Sequence, residues 1–97
     1  MPFEIVLAPQ AVEDIRAPPA NVRSEMRSAL TTHLRSEPEK TRRSRIKRLR
    51  GIRRPQYRLR VGDVRISYDL NVATVEVLVI VYMRDADAWL AQFGNPE

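Results

Sequence analysis

Residues 57–68 read YRLRVGDVRISY, and the fold turns on how they pair. Val61-Gly62-Asp63-Val64 is a two-residue hairpin connection. Its leading glycine suits a type II′ turn, whose twist matches that of the flanking strands. The register follows from the turn: Val61 faces Val64, Arg60 faces Arg65, Leu59 faces Ile66, Arg58 faces Ser67 and Tyr57 faces Tyr68. Side chains alternate along a strand, so Tyr57, Leu59, Val61, Val64, Ile66 and Tyr68 share the core face. Arg58, Arg60 and Arg65 share the other.

Arg60 opposite Arg65, with Arg58 beside them, is a poor choice for folding alone, because like charges facing across a sheet destabilise it by roughly 0.2–1 kcal/mol. A breach of local consistency of this kind marks a place where function is expected. A phosphate relieves the repulsion through charge-assisted, bidentate hydrogen bonds. The plainer alternative is that Asp63, Asp69 or Glu76 neutralises one of these arginines within the fold.

Outward from the hairpin, strands are expected over 56–61, 64–70 and 74–82. The last is apolar on both alternating sets apart from Glu76, so it should be covered on both faces. If Leu70 pairs with Val75, Ile80 lies beside Arg65, and Tyr82 joins the arginine face. Before the hairpin, Phe3, Ile5 and Leu7 mark a short strand. Pro9 suits a helix start, with Ala11, Val12 and Ile15 as its apolar stripe and Pro18-Pro19 as its end. A second helix has Asn21 as the expected cap and Val22, Met26, Ala29, Leu30, His33 and Leu34 on one face, and Pro38 closes it. Residues 39–54 read as a basic loop with at most a short extended piece. Asp85 to Phe93 reads as a terminal helix or turn packing Trp89, Leu90 and Phe93 onto the sheet. The class is α+β, in one domain over 1–97: an N-terminal strand, a helical hairpin on a four-stranded, mostly antiparallel sheet, and a short C-terminal helix.

Charge is strongly segregated. Residues 1–39 carry four basic and six acidic groups, and residues 66–97 carry one and five. Residues 40–65 carry twelve basic groups against Asp63 alone, with arginine outnumbering lysine ten to two. So dense a positive stretch must be solvated, screened or matched to a polyanion. The preference for the planar guanidinium fork points to phosphate and base edges. The chain has no cysteine, which removes disulfides, cysteine-based zinc sites and thiol nucleophiles. No secretory leader is visible at the N-terminus, and the longest apolar run, 77–83, is far too short to span a bilayer. A soluble, cytoplasmic protein without membrane association is expected.

Residues 46–68, IKRLRGIRRPQYRLRVGDVRISY, together with the order of elements, resemble the RelE/ParE superfamily of type II toxins. The pattern is Leu49-x-Gly51, then Tyr57 followed by Arg58 and Arg60, the Gly62-Asp63 turn, Arg65 three before Tyr68, and an apolar strand leading to Arg84. The resemblance spans nearly the whole chain and implies a RelE-like fold. In the RelE branch it implies metal-independent cleavage of messenger RNA on the ribosome, with Arg58, Arg60, Arg65 and Arg84 serving the chemistry. It also implies a cognate antitoxin that wraps and blocks the toxin. RelE-type members often carry a catalytic tyrosine five or six residues after the last arginine. Here the nearest aromatic is Trp89, whose indole nitrogen only donates. Trp89 is left to stack on a base or to plug the core.

Cleavage by 2′-hydroxyl attack needs a proton acceptor, charge stabilisation at the phosphorane and protonation of the leaving oxygen. Guanidinium suits the second task and fails the first. Tyr82 is the candidate base; His33, on an apolar helix face, is read as structural. Lys47, Arg48, Arg50, Arg53 and Arg54 are expected to bind RNA. No cofactor is expected, and no metal, since the carboxylates lack paired ligand spacing. Two other readings stay open: a ParE-like inhibitor of DNA gyrase without nuclease activity, and a non-catalytic RNA-binding module.

Overall fold

The structure is a computed structural model that describes residues 2–41 and 45–97. The elements are β1 (Glu4–Leu7), α1 (Pro9–Arg16), α2 (Ala20–Ala29), a π-helical turn (Leu30–Leu34), β2 (Ile46–Arg48), β3 (Ile52–Arg54), β4 (Tyr57–Val61), β5 (Val64–Leu70), β6 (Thr74–Tyr82), α3 (Met83–Phe93) and β7 (Asn95–Pro96). The main sheet runs β1-β6-β5-β4-β2, with β1 parallel to β6 and the other neighbours antiparallel. β3 and β7 form a separate antiparallel pair.

The hairpin has the expected register at every position from Tyr57↔Tyr68 to Val61↔Val64. Gly62 has φ +58° and, among the described residues, no non-glycine residue has a positive φ, so Asp63 has a negative φ and the turn is type II′. α1 and α2 pack on one face of the sheet. Ala11, Ile15, Met26, Leu30 and Leu34 meet Leu59, Val61, Val64, Ile66, Tyr68, Val75, Val77 and Ile80 in a continuous buried cluster. Each large aliphatic side chain buried there contributes about 1.5–3 kcal/mol.

Several expectations need correction. The sheet has five strands, because β2 adds an edge within the stretch read as loop. Three residues dominated by cations carry no periodicity; β2 exists through pairing with β4, which buries Ile46 opposite Leu59. Asn21 does not cap α2. Pro19 occupies that position in extended backbone, and its carbonyl accepts from the N–H groups of Val22 and Arg23. The Pro18-Pro19 step already holds the backbone an N-cap requires, so the helix begins one residue before Asn21.

The third correction bears on the site. Leu70 does pair with Val75, but a β-bulge between Ser67 and Tyr68 shifts the remainder of β6 by one residue. Arg65 therefore lies opposite Val81 rather than Ile80, and Tyr82 lies opposite Val64, with the helical-hairpin parity instead of the arginine parity. Asp14 on α1 accepts the Ile80 N–H at 2.9 Å, on the edge of β6 that β1 is too short to cover.

α3 crosses the opposite face. Its Ala86 is buried, and beneath it Ser67 and Val79 are closed to solvent although neither belongs to the hairpin-side core. β6 is thus covered on both sides, as its two-sided apolar pattern requires. No helix among the described residues is long and apolar enough to cross a membrane.

Candidate nucleic-acid interface

Strand pairing assembles a basic face across three strands. Arg45, in register opposite Arg60 and accepting its N–H at 2.8 Å, continues the row to Arg65. The next row is Lys47, Arg58 and Ser67. Neighbouring strands lie about 4.8 Å apart, so these cations are stacked at near-contact spacing. The sequence reading missed Arg45. Its signal is the parity it shares with Lys47, readable only once β2 is known to pair with β4.

The arginines of this face are held differently. Arg65 donates to the carbonyls of Gly62 at 2.9 Å and Val64 at 3.1 Å, and its other Nη lies 3.2 Å from Met83 Sδ. Partial burial first, then the charges of Arg58 and Arg60, lower its pKa, with Asp63 opposing. Arg60 is exposed and makes no side-chain hydrogen bond or ion pair to a described residue. Arg58 is only 17% exposed; its Nη1 is buried without a hydrogen-bond partner, 3.8 Å from the 99% exposed Asp87 Oδ1 on α3. An unsatisfied buried donor costs about 1–3 kcal/mol, more when charged, so the fold carries this guanidinium at a loss.

Arg84 stands in the first turn of α3, 79% exposed, with its guanidinium 5.1 Å from the Tyr82 ring centre and Nε 3.8 Å from Asp85. Tyr82, 40% exposed, faces a hollow of about 790 Å³ lined by Asp63, Tyr82, Met83, Arg84 and Asp87. The bulge removes Tyr82 from the arginine rows and leaves it at the strand end beside Arg84. Asp87, which the sequence reading passed over, lies between the hollow and Arg58. Nothing in its local sequence marks it, because its place depends on how α3 lies across the sheet.

The other predicted RNA-binding residues divide. Lys47 belongs to the basic face, Arg50 is exposed just before β3, and Arg53 is exposed within it. Arg54 is committed within the fold, donating to Asp69 at 2.6 Å and Glu76 at 2.8 Å. These are two of the three carboxylates considered as internal partners for the hairpin arginines. Arg48 pairs opposite Tyr57 on the other face, stacks 5.4 Å from that ring and donates to the carbonyls of Leu49 and Gln56. Trp89 is half-buried on α3 against Phe93, ring centres 5.6 Å apart. Residues 42–44 of the expected basic stretch lie outside the described residues. The described residues contain no cluster of side chains able to hold a metal ion.

No protein-family model and no curated protein sequence matches the chain. Solved structures do. The archaeal RelE–RelB complex from Pyrococcus horikoshii matches with a TM-score of 0.69 at 21% identity, over 84% of this chain and 96% of that one. The RelBE2 toxin–antitoxin complex from Mycobacterium tuberculosis matches at 0.68 and 22%, over 84% and 92%. The RelB–RelE antitoxin–toxin complex from Methanococcus jannaschii matches at 0.66 and 19%, over 87% and 96%. The chain, with its helical hairpin on a mainly antiparallel sheet, has the RelE-like α+β fold of these structures.

Proposed function

We propose that this chain is the toxin of a type II toxin–antitoxin system, a metal-independent, ribosome-dependent endoribonuclease that cuts messenger RNA and is held inactive by a cognate antitoxin. One observation carries the reading. Among the described residues, none of Arg58, Arg60, Arg65 and Arg84 has a carboxylate within hydrogen-bond distance, whereas Arg54 has two. Arg60 and Arg65 have no ion pair to a described residue, and Arg58 and Arg84 are held only loosely, each 3.8 Å from an exposed aspartate. A fold that hydrogen-bonds one arginine to two internal carboxylates and leaves four in this condition keeps those four available to an external anion.

In this mechanism Arg58, Arg60 and Arg65 bind the scissile phosphate and stabilise the charge that grows on its equatorial oxygens as the 2′-hydroxyl attacks. Arg84 supports the same charge from the head of α3. The proton acceptor belongs to the adjoining hollow, where Tyr82 and Asp87 are the titratable groups nearest Arg84 and Arg58. Asp87 is exposed, lines the hollow and stands 3.8 Å from Arg58, which makes it a candidate acceptor beside Tyr82. The fold of the RelE–RelB complexes supports an antitoxin as partner.

A non-catalytic RNA-binding role is the second reading. It is favoured by the separation of Tyr82 from the arginine rows. Mapping 5′ ends of RNA after induction in a bacterium decides between them. Position-specific cuts in ribosome-bound messages, lost in Arg65→Ala and Arg84→Ala variants that stay folded, support the nuclease. Arrested translation with intact messages supports the binding module, and gyrase-trapped DNA breaks support a ParE-like target. Tyr82→Phe and Asp87→Asn assign the base: the residue whose loss slows cleavage while leaving RNA binding unchanged is the acceptor.

A further inference from the structure

The chain has three methionines, Met1, Met26 and Met83. Met26 is fully buried between the helical hairpin and the sheet, where a flexible thioether fills the core. Met83 stands at the first position of α3, 61% exposed, and lines the hollow it shares with Asp63, Tyr82, Arg84 and Asp87. Burial of apolar surface accounts for the first of these two placements and not for the second. What Met83 does make is a contact with Arg65. Nη1 of that guanidinium is held by the Gly62 and Val64 carbonyls, whereas Nη2 meets only Met83 Sδ, at 3.2 Å, among the described residues. No described residue accepts from Nε. The Nε–Nη2 edge is therefore the fork left for a phosphate, and the thioether on it is a weak acceptor that a phosphate displaces.

Oxidation of the sulfur reverses that order. With hydrogen peroxide, a sulfur lone pair attacks one peroxide oxygen. The S–O bond forms as the O–O bond breaks, and the proton on the attacked oxygen passes to the departing hydroxide to give water. Sulfur is oxidised by two electrons and the peroxide is reduced by the same two. The soft, apolar thioether becomes a polar, chiral sulfoxide whose oxygen is a strong acceptor. That oxygen is carried on the atom already in contact with Arg65 Nη2, so it takes the N–H on the edge a phosphate needs.

We infer that Met83 is a reversible oxidation site whose sulfoxide oxygen captures Arg65 and weakens the grip of the basic face on RNA. The inference rests on the RNA reading of that face, and it holds whether or not the bound RNA is then cut. Met26 is closed to solvent and escapes the reaction. Methionine sulfoxide reductases, one for each epimer at sulfur, return the side chain to the thioether and free the arginine.

The test exposes the folded full chain to hydrogen peroxide and locates the sulfoxide by mass spectrometry of its peptides. Met83 should oxidise at least about ten-fold faster than Met26. Affinity for a single-stranded RNA oligonucleotide should then fall about ten-fold, the loss of one charge-assisted hydrogen bond, and return after treatment with both reductases. The Met83→Leu variant keeps the other two methionines, and its affinity should not respond to peroxide. Met83→Gln, whose amide oxygen stands where the sulfoxide oxygen would, should bind RNA as weakly as the oxidised chain without any treatment. In Arg65→Gln, oxidation should cost no further affinity; an equal loss there means that the sulfoxide acts by bulk, and overturns the proposal. So does a Met83 sulfoxide that leaves affinity intact, or a Met83→Leu chain that loses affinity under peroxide. Rotation about the Arg65 Nε–Cζ bond, followed by NMR, should slow on oxidation, and this readout needs no RNA. A chain with the slowed arginine that binds no RNA in either state sinks the RNA reading and leaves the capture standing. A chain that binds RNA equally well before and after oxidation sinks the switch alone.

Discussion

Tyr68 and Arg58 occupy neighbouring strands and meet burial in opposite ways. Tyr68 is fully closed to solvent, stacks on Tyr57 at 5.5 Å and donates its hydroxyl to the Pro38 carbonyl at 2.6 Å, tying the segment after the π-helical turn to the sheet. Burial, reinforced by Tyr57, raises its pKa above the ordinary 10.0. Because the folded state resists ionisation, the stability this group supplies is complete below pH 10 and falls as pH rises beyond it. Tyr68→Phe should lose about 0.5–1.5 kcal/mol at neutral pH through the missing hydrogen bond. The deficit against wild type should shrink above pH 10, as measured by urea unfolding across that range; a gap independent of pH would mean that Tyr68 is not protonated by the fold. That Tyr68 faces the core was legible from alternation alone. Its acceptor, thirty residues upstream, was not, and neither were the partners of Arg54. Both contacts depend on where chain segments distant in sequence come to rest.

At the scale of the element, the hairpin is the most completely legible part of the chain, because Gly62 fixes the turn and the turn fixes every pair. It is also the least comfortable part. Arg60→Gln should stabilise the protein by roughly 0.2–1 kcal/mol by relieving the repulsion from Arg65, while weakening RNA binding. Thermal unfolding and a binding titration on the same samples check both signs. A variant that gains nothing in stability would show that solvent already screens the pair. β2 illustrates what patterning misses: a strand of three residues, two of them cationic, is defined by its neighbour rather than by itself. The bulge in the β5–β6 pair is invisible for a related reason. A strand apolar on both faces gives no parity signal to reveal that one residue has been skipped.

For the molecule as a whole, the segregation of charge in the sequence becomes a segregation of surfaces. The basic rows of β2, β4 and β5 lie on the α3 side, while α1 and α2 close the other. Replacing Arg45 and Lys47 by glutamine should each reduce the slope of log affinity for single-stranded RNA against log salt by about 0.7. The same change at Arg48 or Arg54 should leave the slope as it is, since both are spent inside the fold. Equal effects at all four positions would mean that the protein attracts RNA by overall charge and not through an organised face. The single skipped residue in β6 has a consequence for how such a chain can vary. Everything downstream of it, including Tyr82, Arg84 and the start of α3, inherits its orientation from that offset. Leu78 is the residue left without a partner, so its removal would make Tyr68↔Val77 and Ser67↔Val79 consecutive pairs and leave every later pair on its present face. A deletion elsewhere in the paired part of β6 would instead send the residues beyond it to the opposite face, so the bulge is where this strand can lose a residue without turning α3.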